Sequence, residues 1–183
     1  MIFEGEIQMK IKIVEVGEIQ PNIAEILTKN LNRRFKNKFY FGGRVKIPSN
    51  SHNKFKNQYN TETLLEYLEG HKEKGEKIIG LTSKDIYSKD LNFLFSACSG
   101  EVSLVSTARL DPEFYGEPKN FEKLVERTKK EMIGMLGLMF GLKKCGESSC
   151  VMAPAKSVSY LDDKKDDFCN NCHIKISMED IRI

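Results

Sequence analysis

The chain opens on an alternation of apolar and polar residues. Ile7, Met9, Ile11 and Ile13 fall at every second position and Val14 and Val16 continue the run, which predicts a strand over Ile7–Val16. Pro21 then opens a helix, with Ile23, Ile26, Leu27 and Leu31 at steps of three and four between Asn22 and Phe35. A second strand is expected over Phe39–Ile47, so the chain begins β-α-β. The Ser-, Asn- and Lys-rich stretch Pro48–Asn60 reads as a long surface loop, and Asn60 or Thr61 caps a helix that runs to about Lys74 with Leu64, Leu65 and Leu68 on one face. A buried strand follows at Ile78–Thr82. Leu91–Phe95 and Val102–Ser106 read as two further strands separated by the turn at Ser99-Gly100. Beyond the Pro- and Gly-broken connection Asp111–Pro118 lies the longest periodic segment, Asn120–Leu142. There Phe121, Leu124, Val125, Thr128, Met132, Met135, Met139 and Leu142 keep helical spacing. From Lys143 onward the periodicity fades.

Length and composition place these elements in a soluble α/β or α+β protein. At 183 residues the chain suits a single domain, with sheet and helices over 1–142 and a loop-rich tail over 143–183. The longest apolar stretch, Met132–Leu142, is too short to cross a bilayer, and Glu4 and Glu6 break any secretory leader, so no membrane role is expected and the location is cytoplasmic. A formal charge of +3 from 29 basic and 26 acidic residues gives only a weak field for nucleic acid, which is not an expected partner. The basic run Arg33-Arg34-Phe35-Lys36-Asn37-Lys38-Phe39 reads as a solvated helix end.

The tail carries the chemistry. Cys145 and Cys150 form C-x₄-C, Cys169 and Cys172 form C-x₂-C, and eighteen residues separate the pairs. Short turns of this kind present two sulfurs each to a tetrahedral zinc, and a site closed by four thiolates leaves no open position to activate water. Its role is structural: it pins a loose tail to the end of the long helix. Two disulfides or four unrelated thiols are the alternatives, and His173 offers a Cys₃His variant beside its plainer reading as a pendant histidine. Cys98, alone beside a strand, reads as a small buried hydrophobe.

These residues resemble a known family. Archaemetzincins carry H-E-x-x-H-x-x-G-x-x-H/D-C-x₄-C-x-M and, further on, C-x-x-C. This chain reads GMLGLMFGLKKCGESSCVM, then sixteen residues, a spacer one residue shorter than the family's, then CNNC. Gly141, Cys145, Cys150, Met152, Cys169 and Cys172 match, and the upstream strings NQYNTETLLEYL, IIGLTSKDIY, LNFLF and VSLVSTARLDPEFYG extend the likeness over nearly the whole chain. The resemblance implies a metzincin-like zincin fold: a twisted mixed sheet, three main helices and a zinc-clamped C-terminal tail. It also implies that Met152 is the methionine of the tight turn beneath a catalytic zinc.

In that family two histidines one helical turn apart and a third ligand hold the catalytic zinc, and the glutamate beside the first is the general base. The matching ligand positions here are Gly134, Leu138 and Lys144, and the general-base position is Met135. None of the four can serve. The remaining histidines, His52, His71 and His173, are scattered, and Glu131, one turn before Met135, reads as a solvated surface group. Met132, Met135, Leu138 and Met139 are expected to fill the former metal cavity as core. The resemblance therefore points to one structural zinc, no catalytic zinc, and a non-catalytic relative of zinc metallopeptidases. Its cleft could still take a peptide or a protein partner by pairing with a strand edge, Leu91–Phe95 or Val102–Ser106, with Lys144 nearby to meet a carboxylate. The alternative is an active zinc peptidase whose ligands the sequence does not reveal.

Overall fold

The computed structural model describes residues 9–36 and 38–177. The expected start of the first strand at Ile7 and the Asn37 of the basic run lie outside them. Five strands make the main sheet in the order β2-β1-β5-β8-β7. They are β1 (Lys10–Val16), β2 (Lys38–Val45), β5 (Glu76–Thr82), β7 (Ser96–Ser99) and β8 (Val102–Ser106). All neighbours are parallel except β7 and β8, which pair antiparallel with Cys98 opposite Ser103. Every residue of β5 and β8 is buried, as expected for interior strands of a parallel sheet covered on both faces.

The helices supply that cover. On one face Ile11, Ile13, Ile79, Leu81 and Val105 pack with α1 (Ile23–Arg34) and α3 (Phe121–Met139). On the other, Val14, Val16, Ile78, Val102 and Leu104 pack with Leu64 and Leu68 of α2 (Thr61–Glu69). Asparagine side chains start α2 and α3: Asn60 accepts the N–H of Thr63 and Asn120 that of Lys123. The tail adds α4 (Val158–Asp163) and α5 (Asn170–Ser177). No helix among the described residues is long and apolar enough to cross a membrane.

Four expectations need correction. The stretch Pro48–Asn60 is not plain loop: β3 (His52–Asn53) and β4 (Gln58–Asn60) form a hairpin that joins β6 (Ile86–Tyr87) in a second, three-stranded sheet. The helix expected to reach Lys74 ends at Glu69. Leu91–Phe95 is not a strand; only Leu94 bridges to Ile86, and the edge strand is the small, polar Ser96–Ser99 that follows. Val102–Ser106 is interior, so the edge on this side is β7.

The basic run is also more than a solvated end. Arg34 donates to Asp167 at 2.6 Å and lies 3.5 Å from Asp166, while Lys129 of α3 reaches Asp166 at 2.8 Å. These pairs tie the tail to two helices.

Candidate metal centre and cleft

The site is built where α3 stops. Gly141 adopts φ +86°, a left-handed conformation that favours glycine, and the N–H groups of Gly141 and Leu142 return to the carbonyls of Leu138 and Gly137. This is a Schellman close, and it sends the chain sharply off the helix axis toward Cys145. The chain then turns back: the Cys145 N–H donates to Met152 O at 3.0 Å, and Ala153 N–H closes a tight turn on Cys150 O at 2.9 Å. Asp167 O accepts from Val151 N–H, which brings the second cysteine pair alongside the first.

All four sulfurs, from Cys145, Cys150, Cys169 and Cys172, lie within 4.8 Å of one another. The Cys145 and Cys169 sulfurs are 3.7 Å apart. A tetrahedron of thiolates at a Zn–S distance of about 2.3 Å has edges of about 3.8 Å, so the spacing suits an ion, whereas a disulfide would draw two sulfurs to about 2.05 Å. All five cysteines of the chain are free thiols. Backbone N–H groups already point at the sulfurs: Glu147 to Cys145 at 3.4 Å, and Met152 and Cys169 to Cys150 at 3.4 and 3.3 Å. Such bonds delocalise thiolate charge and orient ligands around a metal.

The crowding also splits the thiols. The N–H of Cys172, with help from the neighbouring thiols, pulls Cys169 down to about 7, while burial pushes Cys150 and Cys172 up. A bound divalent ion would displace the remaining protons. His173 stands aside, 3.4 Å from Asp167 and edge-on to Phe168, and is not among the converging donors.

Met152 is fully buried under this knuckle, against α3. A Cβ on Gly137 would overlap Met152 Sδ and come within 3.1 Å of Phe168 Cε1, so the glycine lets the turn approach the helix. Of the four positions that the resemblance matches to catalytic groups, Gly134 and Met135 are buried, Leu138 is half-buried and Lys144 is exposed. Met132, Met135 and Met139 belong to the core, as expected.

Glu131 is the main departure from the sequence reading: it is buried, not solvated. Ser96 Oγ donates to its carboxylate, and Lys164 Nζ lies 3.8 Å away on the other side. Lys164, itself buried, donates to Val151 O at 3.3 Å and Ala153 O at 2.9 Å, the carbonyls flanking Met152. Burial lowers its pKa, only partly countered by Glu131. Ser96 and Glu131 floor a cleft of about 500 Å³, walled by Leu91–Phe95 on one side and Ala153–Lys156 on the other, with Lys144 at the rim. A single sequence carries no sign that Ser96, Glu131 and Lys164 meet, since the lysine sits within the charged run Asp162–Asp167 and reads as surface.

Comparison with solved structures gives the class. Archaemetzincin from Methanopyrus kandleri superposes with a TM-score of 0.84 at 29% identity, covering 97% of this chain and 98% of that one. In sequence, an archaemetzincin of the same organism is 35% identical over 175 residues (93% of this chain, 89% of the relative). One from Methanocaldococcus jannaschii is 33% identical over 177 residues (96% and 97%). The model described as "Peptidase family M54" matches residues 3–178, and the chain belongs to that family.

Proposed function

We propose that this chain is a non-catalytic member of its family. It binds one structural zinc through Cys145, Cys150, Cys169 and Cys172 and uses its cleft to hold an extended peptide or a segment of a protein partner without cutting it. The single observation that carries the reading is the set of side chains at four positions. A divalent ion needs lone pairs; Gly134 and Leu138 have none to offer, and the Lys144 ammonium repels a cation. Met135 cannot accept a proton from water. Glu131, the nearest carboxylate on α3, is committed to Ser96 and Lys164.

Peptide capture needs backbone groups rather than metal, and β7 at the end of the sheet has one side unpaired within it. The apolar wall of Phe93, Leu94 and Phe95 would receive side chains, and Lys144 a carboxylate. The core that joins Ile11 through Ile176 supports reading the described residues as a single domain. Reduced thiolates fit a cytoplasmic setting.

The test is incubation with an unfolded protein substrate, with and without a chelator, alongside binding of the same substrate by fluorescence anisotropy. Binding without cleavage is the expected result. Chelator-sensitive cleavage would establish a working zinc peptidase in place of this reading.

A further inference from the structure

The net charge of the chain conceals an uneven distribution. Residues 26–61 contain nine basic side chains (Lys29, Arg33, Arg34, Lys36, Lys38, Arg44, Lys46, Lys54, Lys56) and no acidic one, leaving 20 basic and 26 acidic residues elsewhere. Of these cations Arg34 holds the tail, as described, and Arg44 pairs with Glu15 at 2.7 Å. The last two do neither. Edge strand β2 leads through Arg44 and Lys46 into the β3–β4 hairpin, whose tip is Lys54-Phe55-Lys56-Asn57.

That tip is built, not loose. The side chain of Asn53 accepts the N–H groups of Phe55 and Lys56 at 3.0 and 3.2 Å, and Asn57 takes a left-handed φ of 51°. The result holds Phe55 wholly in solvent, at 103% relative exposure, where it packs on nothing. Beside it cations and rings alternate: Lys56 lies 4.5 Å over Tyr87, Lys84 lies 6.0 Å over Tyr59, and His52 stacks on Tyr59 at 4.7 Å. Lys54 and Lys56 have no ion-pair partner among the described residues.

Guarding a sheet edge explains lysines, but not a preorganised naked ring between them. A bilayer is a poor match, because one phenyl ring among the amides of Asn50, Asn53 and Asn57 offers little apolar area to insert. A single-stranded nucleic acid matches both parts: a base stacks on the ring and phosphates meet the ammonium groups. We infer that the β3–β4 hairpin is a docking site for single-stranded nucleic acid, with Phe55 as the stacking platform and Lys54 and Lys56 as phosphate contacts. The site lies outside the cleft and stands whether or not the cleft binds peptides.

The test is anisotropy of short fluorescein-labelled oligo(U) and oligo(dT), read against salt, on wild type, Phe55→Ala and Lys54→Ala/Lys56→Ala, with duplex DNA and phosphatidylserine vesicles as further arms. Circular dichroism verifies that the variants fold, which the exposure of all three side chains favours. Single strands bind in preference to duplex, and Phe55→Ala weakens them about ten-fold, within the range for one stacked base. The lysine pair lowers the slope of log K against log salt by about 1.4, at about 0.7 per phosphate on a single strand. Tighter binding of oligo(U) than of oligo(dT) would assign the site to RNA, and equal binding to single strands of either kind. No binding at low salt, binding unchanged by Phe55→Ala, or cosedimentation with vesicles in place of single strands would overturn the assignment.

Discussion

Replacing Lys164 by methionine tests how the fold holds the turn at Met152. The substitution keeps most of the alkyl volume and removes the ammonium. Two buried carbonyls, Val151 O and Ala153 O, then lose their donor, and the Glu131 carboxylate keeps only Ser96. Breaking a buried pair from one side costs about 3–5 kcal/mol, because the partner charge stays buried without compensation. Methionine recovers part of this by ending the burial of the ammonium, so we expect a loss of about 3 kcal/mol. With a urea slope of about 2 kcal/mol/M, the midpoint of the zinc-loaded protein falls by about 1.5 M.

Glu131→Gln, which still accepts from Ser96, weakens the fold less, since Lys164 keeps both carbonyls. In the double variant neither charge is stranded. The two losses then fall short of additive by about 1–3 kcal/mol, the range for groups in contact. A midpoint shift for Lys164→Met of less than about 0.3 M would mean that the ammonium reaches water and that the buried network is not holding the turn.

Two more outcomes follow from buried groups. Arg127, 2% exposed, is held bidentately by Asp162 at 2.7 Å, and that contact lowers the Asp162 pKa below its ordinary 3.8. A carboxylate with a depressed folded pKa contributes stability that is complete above its unfolded value and is lost as pH falls through the folded one. Asp162→Asn therefore lowers stability at neutral pH by about 2 kcal/mol, discounted for the half-exposed carboxylate, and a urea series shows the gap to wild type closing once pH drops below about 3.8. Thiol titration is the second: with metal bound, Cys98, pushed up to about 11 chiefly by burial, reacts slowly with iodoacetamide at neutral pH. Chelation then adds the four clustered thiols, and fast labelling of all five without chelator would contradict metal ligation.

Much of this architecture was legible because it repeats. Helical spacing located α1 and α3, alternation located β1, and short apolar-rich runs located β5 and β8, whose every residue is buried. The cysteine pairs were legible for a chemical reason, since C-x₄-C and C-x₂-C each present two sulfurs at the separation a tetrahedral metal needs. What escaped was structure that rests on backbone pairing or on long-range partners. Ser96–Ser99 is an edge strand of small residues that any apolar pattern passes over, whereas the apolar Leu91–Phe95 beside it lines a cleft instead of forming a strand. The β3–β4 hairpin was hidden in the same way, being short and polar. Glu131 looked solvated because nothing in a charged helix announces a lysine that arrives from the tail. The cost of stranding such a charge is set by tertiary burial alone.

A closed thiolate site beside a cleft without metal ligands fixes how many zinc ions the folded protein should hold. Mass-spectrometric metal determination on protein purified without added metal, then dialysed against excess zinc and freed of loosely bound ion, measures this directly. One tightly held zinc per chain, released only with loss of structure, is the expected value. Two tightly held ions, the second lost without unfolding, would place a metal in the cleft and contradict the proposed non-catalytic role.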